Sequence, residues 1–71
     1  MPKLPVVSWR EALTVAHKCG FEFRRQRGSH IILGRGGRLL VVPKHGRLKT
    51  GTQLRIIRVL GISREYFMEL L

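Results

Sequence analysis

The chain contains no aspartate, and its whole acidic complement is Glu11, Glu22, Glu65 and Glu69. Carboxylate-held Mg²⁺ and hydrolysis by a carboxylate pair both draw on such residues, so a two-metal nuclease or a paired-carboxylate hydrolase has almost no ligands. No metal or small-molecule cofactor is expected. The one cysteine, Cys19, cannot close an internal disulfide, and without clustered Cys and His there is no zinc site to propose. No run approaches the roughly 18 apolar residues that span a bilayer. Met1-Pro2-Lys3-Leu4-Pro5 has no apolar stretch of the kind a secretory signal carries, so the expected location is the cytoplasm. With 71 residues against roughly 100–200 per domain, the expectation is a single domain over 1–71. A large enclosed substrate cavity is not expected at this size.

What the chain does have is positive charge. Fourteen Lys and Arg against four acids give a net charge of +10. Self-repulsion on that scale disfavours a compact state this small, and a polyanionic partner offsets it. Nucleic acid leads the candidates, an acidic protein follows, and an anionic membrane surface comes last. Hydrophobic residues at 44% and charged ones at 25% are the proportions of a globular chain, not of a disordered one.

Local patterns predict an α-β-β-β-α core with a short extra helix. Pro2 and Pro5 favour an extended arm over residues 1–7. Ser8 and Glu11 have the spacing of a capping box, and Trp9, Ala12, Leu13, Ala16 and Cys19 then fall on one helical face. Gly20 ends that helix. From Phe21 to Val42 the period shortens to two, which predicts three strands. Turns are expected around Arg27-Gly28 and over Gly34-Arg35-Gly36-Gly37, and Pro43 closes the third strand. The glycine cluster lacks the Lys-Ser/Thr ending and following helix of a phosphate-binding loop. A basic loop over Pro43 to Lys49 precedes a second expected capping box, Thr50 with Gln53, and a helix carrying Leu54, Ile56, Ile57 and Leu60. Gly61 ends it, and Ser63 opens a last helix with Tyr66, Phe67, Leu70 and Leu71. The fold class is α+β, a three-stranded antiparallel sheet covered on one face by helices, with the other face open.

Basic side chains concentrate in the strands and their loops: Arg24, Arg25, Arg27, Arg35, Arg38, Lys44, Arg47 and Lys49. Spread over a phosphate backbone, they would release counterions. Within this region His30 alternates with Ile31, so burying Ile31 and Leu33 against the helices leaves His30 on the open face. Histidine titrates near neutral pH and can exchange a proton with a ribose hydroxyl. A surface or half-buried structural histidine is the competing reading. His17, near the end of the first helix, reads as a structural cation. His45, in the basic loop, reads as a phosphate contact, a second proton carrier or a hydrogen-bond donor fixing the loop. Cys19 reads as a small buried residue.

Several segments in order carry a family resemblance: Leu4-Pro5-Val6-Val7-Ser8, Gly20-Phe21, Gly28-Ser29-His30, Val42-Pro43-Lys44-His45, Gly51-Thr52 and Gly61-Ile62-Ser63. Together they resemble the HicA toxins, also called the YcfA-like family, small messenger-RNA interferases of bacterial and archaeal toxin–antitoxin pairs. The chain departs from the pattern in a short, glycine-rich connection between the second and third strands. It also carries Lys49-Thr50 where many relatives have a proline before Gly-Thr. The resemblance implies a fold like a double-stranded-RNA-binding domain, a catalytic histidine at His30 and a HicB antitoxin as partner.

The combined expectation is a metal-independent endoribonuclease acting on messenger RNA. His30 would take the 2′-hydroxyl proton, Gly28 and Ser29 would shape the turn presenting it, and Arg24, Arg25, Arg27, Lys44, His45, Arg47 and Lys49 would bind RNA. Two other readings use the same features: a non-catalytic RNA-binding module of the same fold, and an interaction protein whose basic face serves an acidic partner.

Overall fold

The computed structural model describes residues 4–71. The elements in chain order are α1 (Trp9–Lys18), β1 (Glu22–Arg27), β2 (His30–Arg35), β3 (Arg38–Pro43), α2 (Thr50–Leu60) and α3 (Arg64–Leu70). The expected architecture is the one observed. Of the arm over 1–7, residues 4–7 run outside regular structure, and the first three lie outside the described residues.

The first helix starts as its sequence dictates. Ser8 Oγ accepts from the Glu11 N–H at 3.2 Å, and the Glu11 carboxylate accepts from the Ser8 N–H at 3.0 Å. This satisfies two of the backbone donors that a helix start otherwise leaves without partners. The second capping box does not form. Lys49 is the N-cap of α2 and no side chain caps it. Gln53 turns away to donate from Nε2 to the carbonyls of Pro5 at 3.1 Å and Leu48 at 3.3 Å. Fastening the arm to the basic loop engages the amide in place of the reciprocal cap. The third helix is capped as expected, Ser63 Oγ accepting from the Tyr66 N–H at 3.0 Å.

The sheet is a meander in the order β1-β2-β3, both pairs antiparallel. Its turns are two residues each, Gly28-Ser29 and Gly36-Gly37. Gly28 and Gly36 adopt φ of 57° and 59°, the positive angle that a right-twisted hairpin of this length requires at its first turn position. The second turn is therefore shorter than the four-residue cluster suggested, because Gly34 and Arg35 remain paired in β2 opposite Leu39 and Arg38.

The core joins Ile31, Leu33, Leu40 and Val42 of the sheet to Ala12, Val15 and Ala16 of α1, Ile56, Ile57 and Leu60 of α2, and Phe67 of α3. Val7, Phe21 and Leu48 complete it from the connections. The helices lie over β2 and β3, and β1 overhangs as an edge strand whose residues are all exposed. Phe23, opposite Leu33, is 57% exposed for that reason. Tyr66 and Leu71, expected on the apolar face of α3, are also largely exposed, and Phe67 alone of that set is fully buried. No helix is long and apolar enough to cross a membrane among the described residues.

Candidate nucleic-acid interface

Antiparallel partners point to the same face, so the register sorts every side chain of the sheet. Ile31 and Leu33 are in the core, which places His30, Ile32 and Gly34 on the side away from the helices, where His30 is exposed while Ile32 and Gly34 are buried. Three rows cross that side: Arg27–His30–Pro43, Arg25–Ile32–Val41 and Glu22–Gly34–Leu39. His30 is exposed. It follows the Gly28-Ser29 turn directly, and the Ser29 carbonyl accepts from the Lys44 N–H at 2.6 Å. The turn and the start of the basic loop are thus tied together beside the histidine.

A bulge in β1 changes which arginines reach this face. Phe23 pairs with Leu33 and Arg25 with Ile32, leaving Arg24 as an extra residue between them. Strict alternation would send Arg24 and Arg25 to opposite sides. In the structure the Arg24 guanidinium lies across Gly34, with Nε, Cζ and Nη2 at 2.6–2.9 Å from where a Cβ of Gly34 would sit. Its Nη2 donates to the Gly36 carbonyl at 3.4 Å. Arg24, Arg25 and Arg27 therefore share the open face with His30, which a two-residue period does not predict.

Lys44 and His45 stand at the end of the sheet, where α1 begins. The Trp9 N–H donates to the His45 carbonyl at 3.1 Å, and Lys44 Nζ lies 5.1 Å from the centroid of the Trp9 ring, against which Arg10 also rests at 4.8 Å. Arg47 and Lys49 are placed differently. They line a groove of about 460 Å³ with Leu4, Pro5, Val6, Leu48, Thr50 and Gln53, between the arm and the start of α2. The expected binding residues thus divide into a sheet-face group around His30, the Lys44–His45 end and a separate groove.

Arg35 and Arg38, part of the basic cluster but not among the expected RNA contacts, are engaged with the helix ends. Arg35 Nη1 donates to the Cys19 carbonyl at the end of α1, and Arg38 Nη1 donates to the Val59 carbonyl in the last turn of α2, each at 2.9 Å. The Arg35 guanidinium also rests 5.5 Å from the Phe21 ring centroid. Both arginines flank the Gly36-Gly37 turn, so both helices end at that end of the sheet and begin at the His30 end. A helix presents about half a positive charge at its N-terminus and half a negative one at its C-terminus. The two arginines answer the negative ends.

Cys19 is half-buried, and burial raises its thiol pKa against a smaller opposing pull from Arg35. His17 is exposed in the last turn of α1. Among the described residues, no group of three or more His, Cys, Asp or Glu side chains comes together to hold a metal ion.

The fold is α+β, with basic side chains on the sheet face away from the helices and an exposed histidine at the start of the central strand. The model of the HicA toxin of bacterial toxin–antitoxin pairs matches residues 9–62. The chain belongs to the HicA toxin family, and with it to the toxin side of toxin–antitoxin systems. No curated protein matches it.

Proposed function

We propose that this toxin is an endoribonuclease that cuts messenger RNA without a metal ion, with His30 as its catalytic residue. The observation that carries the reading is the exposed His30 in the same row as Arg27, on a face that also gathers Arg24 and Arg25. RNA brings its own nucleophile in the 2′-hydroxyl, which DNA lacks. His30 takes that proton, the 2′-oxygen attacks the adjacent phosphorus, and the 5′-oxygen leaves with a proton from the solvent to which the face is open. Arg25 and Arg27 offset the charge growing on the phosphate, the kind of electrostatic stabilisation that contributes most in such steps. Gly28 and Ser29 hold His30 at the head of its strand. Lys44 and His45, and Arg47 and Lys49 from their groove, extend the phosphate-binding surface. A HicB-like antitoxin is the protein partner, and the cytoplasm, where messenger RNA is translated, is the site of action.

End-group analysis of a cleaved oligonucleotide tests the chemistry. The expected products carry a 2′,3′-cyclic phosphate or its hydrolysed 3′-phosphate on one fragment and a 5′-hydroxyl on the other, in excess EDTA. A 5′-phosphate, or activity that disappears with EDTA and returns with Mg²⁺, overturns the mechanism. Binding with no product at any enzyme excess supports the non-catalytic module instead.

A further inference from the structure

The Gly34 row differs from the two rows nearer His30. It carries one cation and one acid, Arg24 and Glu22, together with Leu39, which is 56% exposed. A row of nearly balanced charge is a poor phosphate site. It offers instead a flat surface: the Arg24 guanidinium spread over Gly34, next to an exposed aliphatic side chain. This arrangement depends on glycine, because a Cβ there would stand 2.6 Å from Arg24 Nε. It also depends on the bulge, which brings Arg24 to this face at all.

We propose that Arg24, laid flat over Gly34 beside Leu39, is a stacking platform for one unpaired base of a bound RNA and so favours RNA that is unpaired at that position. Guanidinium planes stack on bases, and single-stranded RNA presents bases free to be stacked. The register leaves the open face without an aromatic side chain: Phe23 shares its row with core-facing Leu33. Arg24 is the planar group available in that place. Gly34 stands four residues along β2 from His30, about 13 Å at strand spacing, so the stacked base lies beyond the scissile step. The inference rests on the reading of this face as an RNA surface, but binding tests it independently of cleavage.

The probe is a short synthetic RNA taken from a mapped cleavage site, or a mixed-sequence RNA of equal length if no cleavage is found. A 2′-O-methyl ribose at the scissile position blocks transesterification. Each nucleotide in turn is made abasic, and affinity is measured for the wild type, Arg24→Lys and Gly34→Ala. For the wild type, one abasic position away from the scissile step is expected to weaken binding about tenfold, the equivalent of losing one stacked base. Arg24→Lys keeps the charge and loses the plane. Its affinity for intact RNA should fall by about the same factor, the penalty at that abasic position should vanish, and the salt dependence should be unchanged. Gly34→Ala should behave alike, with its melting temperature checked separately; Arg24, being exposed, carries the test if that variant does not fold. An abasic profile identical in wild type and Arg24→Lys overturns the proposal, as does a uniform loss at all positions. A failure to find cleaved ends counts against the nuclease reading and leaves this result standing.

Discussion

Arg27 and His30 flank the Gly28-Ser29 turn, and Arg35 and Arg38 flank the Gly36-Gly37 turn, so the two hairpins are close equivalents in sequence. Their cations have opposite uses. At the second turn both guanidiniums donate to carbonyls at the ends of α1 and α2, where a cation satisfies a backbone acceptor and the helix dipole together. At the first turn the neighbouring helix ends are N-termini, which present donors and partial positive charge. A cation there gains nothing from the backbone and remains available to an external anion. Helix direction thus divides one basic composition into structural and binding arginines.

The largest effect should come at the binding end. His30→Ala should reduce RNA cleavage by about a hundredfold or more, the range for loss of a general base, with the melting temperature unchanged because the side chain is exposed. Full cleavage of a long RNA by the purified variant would remove His30 from the mechanism. Next comes a crossed comparison of the two turns. Arg38→Ala should cost about 1 kcal/mol of stability, a fall of about 4–8 °C in Tm, while RNA affinity per folded molecule is kept. Arg27→Ala should leave Tm alone and weaken binding similarly for all sequences. Calorimetry and binding on the same two proteins decide it, and equal stability losses would erase the distinction between the ends.

Salt titration sharpens the same contrast. The log affinity of the wild type should fall linearly with log salt, and Arg27→Ala should reduce the slope by about 0.7, one phosphate contact on a single strand. Arg35→Ala should leave the slope as it is. The smallest effect concerns Cys19, whose carbonyl Arg35 holds. Burial raises the thiol pKa, so less thiolate is present at any given pH and alkylation should be slower than for an unfolded control peptide at pH 8. Equal rates would show that the end of α1 opens readily.

Most of the architecture was legible because it rests on local rules. The capping box at Ser8 and Glu11 and the cap at Ser63 follow from short-range hydrogen bonding. The alternation that exposes His30 follows from burial of Ile31 and Leu33. Thr50 and Gln53 misled because a capping motif states what a side chain can reach, while a buried amide goes where carbonyls lack donors. Those of Pro5 and Leu48 are brought to Gln53 only by folding. Gly34 misled for a related reason: glycine permits a turn but equally permits a close approach, and here Arg24 makes that approach within a paired strand.

The sequence by itself determined the element order, the net charge and the face on which His30 stands, since each depends on composition or on a period of a few residues. The tertiary structure decided which arginines gather on the open sheet face and which are held at helix ends. Arg24 joins Arg25 and Arg27 through a bulge that only strand register reveals. Arg35 and Arg38 are withdrawn because two helices distant in the chain end beside their turn. Identical side chains acquire different roles from partners that lie far away in sequence, and no local pattern records those partners.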